Sequence, residues 1–138
     1  MSAFEEKNKV VEVKFQKYKN NNITKNLKKI RNNICNYFSK KKKIIHGDFL
    51  MKGNKVQRKV WNELKKIQLG KTKSYGEIAK KLNMSPRHVG KICGQNKILL
   101  IIPCHRVIRS DGNVGGFSSI GGVNLKKKLL EFENLWKQ

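Results

Sequence analysis

Residues 74–94 read Ser-Tyr-Gly-Glu-Ile-Ala-Lys-Lys-Leu-Asn-Met-Ser-Pro-Arg-His-Val-Gly-Lys-Ile-Cys-Gly, and this stretch decides how the second half of the chain is organised. Ser74 and Glu77 have the spacing of a capping box, in which two side chains satisfy backbone N–H groups at the start of a helix. The spacing predicts a short helix that ends near Leu82 and is followed by a tight turn at Asn83.

A second short helix is predicted directly after that turn. Ser85 is a good N-cap residue, and Pro86 takes the first helical position, where its missing N–H costs no hydrogen bond. This helix is expected to run to about Cys93 and to stop at Gly94. Two short helices joined by a turn form a helix-turn-helix. The same pattern also fits an ordinary corner between two helices that touches no DNA.

The segments that follow residue 94 predict a buried strand, a loop and a last helix. Residues 98–102 are wholly apolar, which indicates a buried strand that continues through residues 107 and 108. The glycine-rich residues 115–122 predict a mobile loop. From Asn124 to Trp136, apolar residues recur at helical spacing and predict an amphipathic helix.

The N-terminal segment, residues 1–52, shows one alternating stretch and one helical stretch. Residues 10–18 alternate between apolar and polar and predict a half-buried strand. Residues 23–39 have apolar positions at steps of three and four and predict a helix, and residues 44–51 suit a second strand. Nothing in this segment indicates catalysis.

The pair Gly53-Asn54 breaks the pattern, and we place a domain boundary there. A helix over residues 56–67 then opens the second domain, residues 53–138. A chain of 138 residues is long enough to bury a core without a disulfide or a metal.

The chain is strongly basic, with 32 Lys and Arg against 9 Asp and Glu and a formal net charge of +23. Such a charge attracts polyanions such as nucleic acid. A lysine- and asparagine-rich composition is equally what codon drift in an AT-rich genome would produce. No apolar run approaches the ~18 residues of a membrane span, and the first residues do not resemble a signal peptide. We therefore expect a cytoplasmic protein, or a nuclear one in a eukaryote.

Cys104 and His105 are the residues that most clearly indicate chemistry. A thiol beside a base can form the thiolate that acts as a nucleophile. A buried cysteine with no role beyond packing is the plain alternative. The cysteines and histidines do not have the spacing of metal ligands, so no metal site is expected.

The segment Ile102-Pro103-Cys104-His105-Arg106-Val107 resembles the active-site signature of the O6-alkylguanine-DNA alkyltransferases, also called methylated-DNA–protein-cysteine methyltransferases. Residues 56–61, residues 74–79, residues 87–90 and Asn96 occur in the order and approximate spacing of the same family. The resemblance covers about residues 54–133.

The resemblance implies a role for each residue that matches the family pattern. Cys104 would accept the alkyl group, and His105 would act as its base through a bridging water. Glu133 would orient His105, and Tyr75 would donate a proton to the departing guanine. Arg87 would fill the gap left in the duplex by the extruded base.

Further residues follow from the same resemblance. Asn96 would brace the link between the helix-turn-helix and the active-site strand, and Phe117 and Ser118 would belong to a gating loop over the base. The other expected DNA-binding residues are Ser85, His88, Gly90, Lys91 and Arg106, and Ile102 and Pro103 complete the expected substrate pocket. Arg106 is alternatively structural.

The implied fold is of the α+β class. It would combine a truncated, ribonuclease H-like N-terminal part with a mostly helical C-terminal domain that carries a winged-helix-like helix-turn-helix. The implied function is DNA repair by irreversible transfer of the alkyl group from O6-alkylguanine, and from O4-alkylthymine, to the protein's own cysteine. Each molecule would act once on double-stranded DNA, as a monomer, without a cofactor and without a membrane.

Two rival functions are weighed against this one. The first is a non-reacting lesion binder like the alkyltransferase-like proteins, which lack the acceptor cysteine that this chain has at Cys104. The second is a general basic helix-turn-helix protein with a structural cysteine, which would show no preference for alkylated DNA.

Overall fold

The fold mixes helices with small sheets, as a computed structural model of the chain shows. The structure describes residues 1–18, 22–117 and 121–137. In chain order the elements are β1 (Ser2–Glu6), β2 (Lys9–Lys14), α1 (Lys25–Phe38), α2 (Lys55–Leu64), β3 (Lys73–Ser74), α3 (Tyr75–Leu82), α4 (Pro86–Gly94), a single 3-10 turn (Cys104–Arg106), β4 (Val107–Ile108) and α5 (Gly122–Lys137).

The chain begins with an antiparallel hairpin of β1 and β2. Its turn residues Lys7 and Asn8 both have positive φ, at 49° and 64°, which matches the twist that a two-residue hairpin favours. The sequence predicted only the second strand, because β1 lacks a run of β-branched residues. The strand predicted over residues 44–51 does not form. Only Phe49 makes a bridge there, to Val10, since the segment crosses the hairpin edge at a single point.

Helix α1 joins this hairpin to the rest of the molecule. Thr24 caps it by accepting a hydrogen bond from the N–H of Leu27, and Ile30 is fully buried. One core contains Val10 and Ile30 from the first part of the chain together with Trp61 from the second. The two parts therefore share their apolar interior.

The predicted helix-turn-helix is present as α3 and α4. The capping box of Ser74 and Glu77 forms with both of its hydrogen bonds. Asn83 ends α3 in the left-handed conformation at φ 56°, and Ser85 caps α4 by accepting from the N–H of His88. The indole N–H of Trp61 donates to the carbonyl of Ile92 at 3.1 Å and so ties α2 to the buried side of α4.

The strand predicted over residues 98–102 is wrong. The segment turns, with Leu100 at φ 70° and the N–H of Ile102 donating to the carbonyl of Ile98 at 3.0 Å. All of its residues except the half-buried Ile101 are buried, and an apolar run alone does not distinguish a strand from a buried turn. As a result, Cys104 begins a short 3-10 turn and does not lie at the end of a strand.

Two short strands and the last helix hold this 3-10 turn in place. β4, which follows the turn directly, pairs in parallel with β3, the strand that leads into α3. Helix α5 packs against the other side of the turn. In the described part of the chain, no helix combines the length and apolar character that a membrane span requires.

Candidate active site and candidate nucleic-acid interface

Cys104 lines a cavity and is only 4% exposed. The side-chain N–H₂ of Asn96 donates to Sγ of Cys104 at 3.2 Å and to the carbonyl of Ile102 at 2.9 Å. Asn96 thus braces the turn, and it also contacts the thiol, which sequence reasoning missed. Burial raises the pKa of Cys104, while the Asn96 hydrogen bond and the nearby Lys126 ammonium oppose that rise.

The cavity above the thiol has a volume of about 430 Å³, within the size range of small-molecule sites. Its described lining residues are Tyr75, Gly90, Cys93, Gly94, Cys104, Arg109, Gly115, Gly116 and Phe117. The structure therefore brings Tyr75, Gly90 and Phe117 together around Cys104. Ile102 and Pro103 are buried beside the thiol but are not among these lining residues. Ser118 lies outside the described residues.

His105 follows Cys104 in the 3-10 turn and is fully buried. Its Nε2 is 2.7 Å from Oε1 of Glu133 on α5. Among the described residues, its other ring nitrogen, Nδ1, has no hydrogen-bond partner. Burial lowers the pKa of His105, although Glu133 opposes that shift. The imidazole is therefore neutral at ordinary pH, and Nδ1 is the nitrogen that can take a proton.

The Glu133 carboxylate is 1% exposed and remains ionised. Burial alone would raise its pKa, but hydrogen bonds from His105 and Arg106 lower it to about 2. A buried carboxylate needs such donors, since an unpaired charge in the interior is costly.

Arg106 is one of these donors, and this differs from the expectation that it binds DNA. Its side chain is mostly buried, its Nε and Nη2 contact the Glu133 carboxylate at 2.8–3.2 Å, and its Nη1 donates to the carbonyl of Ile67 at 2.7 Å. The guanidinium is engaged in the interior, so the structural alternative is the one that the geometry supports. Its sequence position beside His105 explains this, because the 3-10 turn directs both side chains towards α5.

Lys126 is a further site residue that sequence reasoning missed. It is 0% exposed, and its Nζ donates to the Tyr75 hydroxyl at 3.3 Å and to the Gly116 carbonyl at 3.1 Å. No carboxylate of the described residues lies within ion-pairing distance of it. Burial lowers its pKa, and the nearby thiols oppose that shift. A signal was available, since Lys126 precedes Glu133 by two helical turns and shares its inward stripe.

Tyr75 and Cys93 also face the cavity. Burial, together with the two nearby cysteines, raises the pKa of Tyr75 to about 12. A Cβ on Gly115, which has φ +77°, would approach the Tyr75 ring and hydroxyl to 3.2 Å, so this close approach favours glycine. Burial raises the pKa of Cys93 to about 12 as well, and its thiol is a second, unpredicted one at the cavity wall.

The outer face of α4 carries the predicted DNA-binding side chains. Arg87, His88 and Lys91 are exposed, and within the described ranges none of them forms an ion pair. Gly90 lines the cavity, and a Cβ added there would lie 3.8 Å from the Tyr75 ring, in ordinary van der Waals contact. The Ser85 hydroxyl is used to cap the helix. The same helix therefore presents Arg87 and Lys91 to solvent and lines the cavity that contains Cys104.

The structure describes no cluster of three or more His, Cys, Asp or Glu side chains that could bind a metal ion within residues 1–18, 22–117 and 121–137.

Comparisons with known proteins agree on one family. The family model for the 6-O-methylguanine DNA methyltransferase DNA-binding domain matches residues 55–135. A methylated-DNA–protein-cysteine methyltransferase of Sulfolobus acidocaldarius is 52% identical over 82 residues, which is 59% of this chain and 51% of that protein. Another, from Methanocaldococcus vulcanius, is 46% identical over 91 residues, 66% of this chain and 55% of that protein.

The structural likeness extends further along the chain than the sequence match does. The crystal structure of Mycobacterium tuberculosis OGT in complex with DNA superposes with a TM-score of 0.86 at 28% identity, over 97% of this chain and 86% of that one. The chain spans about half the length of the curated relatives it matches. Because the family model matches more than half of the chain, this protein belongs to the 6-O-methylguanine DNA methyltransferase family.

Proposed function

We propose that this protein repairs DNA by moving an alkyl group from O6-alkylguanine, and from O4-alkylthymine, onto Cys104. The observation that carries the proposal is a single arrangement. A buried cysteine lines a cavity of about 430 Å³, and the next residue is a buried histidine whose Nε2 is 2.7 Å from a carboxylate oxygen of Glu133. This is the nucleophile–base–orienter order of hydrolytic triads.

The proton leaves the thiol through the free nitrogen of His105. A water between Sγ and Nδ1 would carry the proton to the ring, and the Glu133 carboxylate stabilises the imidazolium that forms. The Asn96 N–H₂ and the Lys126 ammonium would stabilise the thiolate and so lower the free energy needed to form it. His105 would therefore be neutral and able to accept the proton, and Asn96 and Lys126 would stabilise the thiolate anion.

The thiolate then attacks the alkyl carbon in line with the C–O6 bond. The new S–C bond forms as the C–O6 bond breaks, and the electron pair passes to the guanine. Tyr75 gives its proton to that guanine, and Lys126 supplies one to the phenolate, to which it already donates. The proton lost by Cys104 and the proton gained by guanine balance once Lys126 and His105 return to their starting states.

The S-alkylcysteine is a thioether, and no group in the described site could hydrolyse it. Each molecule would then act once, as methylated-DNA–[protein]-cysteine S-methyltransferase, and no cofactor is needed because the thiol itself is the acceptor. The enzyme would be consumed in its own reaction.

The DNA partner is supported by the outer face of α4. A base in a duplex cannot present its O6 to a buried thiol, so the nucleotide must be extruded, which costs a few kcal/mol. Arg87 would fill the gap, and His88 and Lys91 would contact phosphates. The exposure of these three side chains, and their lack of ion pairs with described residues, supports these roles. Phe117 borders the entrance of the cavity, where a gate over the base would lie.

The finer architecture belongs to the same proposal. Residues 1–52 form a reduced ribonuclease H-like part, supported by the hairpin followed by α1, and residues 53–138 form the DNA-binding and transfer domain. The pairing of β3 with β4 beside the helix-turn-helix supports a winged-helix-like unit. In this proposal the protein acts as a monomer in the cytoplasm, or in the nucleus of a eukaryote.

A duplex that carries labelled O6-methylguanine tests the function. The label is expected to move to the one peptide that contains Cys104, with at most one label per protein molecule. Cys104→Ala is expected to bind the duplex without accepting the label, and Cys93→Ala, the matched thiol at the cavity wall, is expected to accept it. Catalytic turnover, or labelling that survives Cys104→Ala, would refute the proposal.

A further inference from the structure

Tyr37, near the end of α1, is joined directly to the catalytic network. Its ring is 1% exposed, and its hydroxyl donates to Oε1 of Glu133 at 2.7 Å. The same oxygen is 2.7 Å from Nε2 of His105. A hydroxyl from the N-terminal part of the chain and the proposed catalytic base therefore share one acceptor atom.

The position of the Tyr37 ring is fixed by aromatic packing against α5. The ring centroid lies 5.5 Å from those of Phe132 and Trp136, and 5.0 Å from that of Phe38. Phe132 precedes Glu133 directly, so the ring and the carboxylate are held by the same turn of α5. The ring packs the helix, and the hydroxyl sets where its carboxylate points.

The acceptor is what separates Tyr37 from an ordinary buried tyrosine. A buried phenol usually finds some partner, most often a neutral one. Here it has an ionised carboxylate, and hydrogen bonds to ionised groups are roughly twice as strong as neutral ones. Burial, together with the charge of Glu133, raises the pKa of Tyr37 far above its ordinary value, so the phenol stays a donor.

The charged and titratable groups around this carboxylate come from three elements. Tyr37 reaches it from α1, His105 and Arg106 reach it from the 3-10 turn, and Lys126 faces His105 from α5 itself. Oε1 accepts from Tyr37, His105 and Arg106 together, so these donors compete for its charge. Removing one of these donors leaves more of the carboxylate's negative charge to interact with His105.

We infer that Tyr37 is a positioning residue for alkyl transfer, in that it orients Glu133 and limits how strongly that carboxylate holds a proton on His105. The inference rests on the proposed function. It also gives the first part of the chain, which lies outside the matched family model, a part in the reaction centre. Helix α1 therefore does more than cover the core.

Tyr37→Phe tests this, because it removes one hydroxyl and keeps the ring. The rate of single-turnover transfer from an O6-methylguanine duplex is expected to fall about three- to ten-fold, as for the loss of one buried hydrogen bond. The acid limb of its pH profile is expected to move upward, since His105 holds its proton more tightly. Tyr18→Phe, which removes an exposed hydroxyl bonded to Gln16, is expected to match the unchanged protein.

A second measurement reads His105 without any substrate. In ¹⁵N-histidine NMR spectra, the unchanged protein is expected to show His105 protonated on Nε2, with a pKa below the ordinary value. Tyr37→Phe is expected to raise that pKa. Phe132→Leu loosens the ring but keeps the hydroxyl, so it is expected to lower stability with a smaller change at His105.

The outcomes separate the two proposals. If the unchanged protein transfers nothing, the proposed function fails, and the NMR titration still tests the contact of Tyr37 with the histidine network. An unchanged His105 titration together with an unchanged pH profile in Tyr37→Phe would overturn the inference. So would a loss of rate that merely follows the loss of folded protein, as judged beside Phe132→Leu.

Discussion

The interior network around Cys104 and the outer face of α4 differ in how their charges are satisfied. In the interior, one carboxylate takes hydrogen bonds from a tyrosine, a histidine and an arginine. On α4, the side chains of Arg87, His88 and Lys91 extend into solvent and form no ion pair with any described residue. The charge of the buried carboxylate is therefore balanced by groups of the protein itself, whereas the charged side chains on α4 have no ion-pair partner among the described residues, which fits the proposed contact with a polyanion.

Because of this difference, we expect substitutions in the two regions to affect different steps, alkyl transfer in the interior and DNA binding on α4. Changes in the interior should alter the rate of transfer and the stability of the fold, because each group there has partners that would be left unpaired. Changes on α4 should alter how DNA is held and opened, with little cost to stability, since exposed substitutions usually change it by less than about 0.5 kcal/mol.

The largest expected effect is that of Glu133→Gln. This change leaves the buried Arg106 without its counter-charge, and breaking a buried pair costs about 3–5 kcal/mol in the free energy of unfolding. Transfer is expected to fall about 100-fold, since a correctly held general base contributes 10²–10⁴-fold. Urea unfolding and single-turnover kinetics measure the two effects. Glu131→Gln, an exposed glutamate on the same helix, is the control and should change neither.

The stability of the fold is expected to depend on pH through the ionisation of Glu133. The pKa of Glu133 is lowered to about 2 from an ordinary 4.5, so its ionised form stabilises the fold above about pH 4.5. That contribution is lost as the pH falls from about 4.5 towards 2. Urea unfolding across this window should show a decline in the unchanged protein, and Glu133→Gln should lack the part due to this carboxyl. Parallel curves for the two proteins would contradict the assignment.

A smaller and more selective effect is expected for Arg87→Ala. It should slow transfer from duplex DNA about ten-fold, because the gap left by the extruded base is no longer filled. Transfer from the free base O6-benzylguanine should be nearly unchanged. Arg58→Ala, an exposed arginine on α2, serves as the control. An equal loss on both substrates would place Arg87 in the chemistry and would break the division between the two regions.

The smallest effect is expected for Lys91→Gln. Loss of one phosphate contact should weaken duplex binding by a few-fold and reduce the slope of log affinity against log salt by about 1. Lys17→Gln, on the hairpin side of the molecule, should leave the slope unchanged. If neither lysine affects the slope, the lysine excess reflects composition rather than DNA binding.

Most of the helical frame could be predicted from the sequence because its signals are local. The capping box at Ser74 and the proline after Ser85 each act within one helical turn, and both form as expected. The buried turn over residues 98–102 could not be predicted, because apolarity reports burial and not backbone direction. β1 was missed for the same kind of reason, since its pairing with β2 depends on a turn at Lys7-Asn8 that no glycine marks.

The candidate site divides in a similar way. The contact between His105 and Glu133 follows from the resemblance to a known family, and the structure places the two side chains together. Three other features depend on tertiary packing. Arg106 points into the interior, Lys126 is buried without a carboxylate partner among the described residues, and Tyr37 forms a hydrogen bond from a distant helix. Their partners lie 27, 51 and 96 residues away along the chain, beyond the reach of any local pattern.

The intact mass of the protein after exposure to O6-benzylguanine tests the central claim most directly. The unchanged protein is expected to gain the mass of one benzyl group, and only one, with the added mass on the peptide that contains Cys104. Cys104→Ala should gain nothing under the same conditions. An unchanged mass in the unmodified protein, or a benzyl group found on Cys93 or Cys35, would contradict the claim that Cys104 is the acceptor.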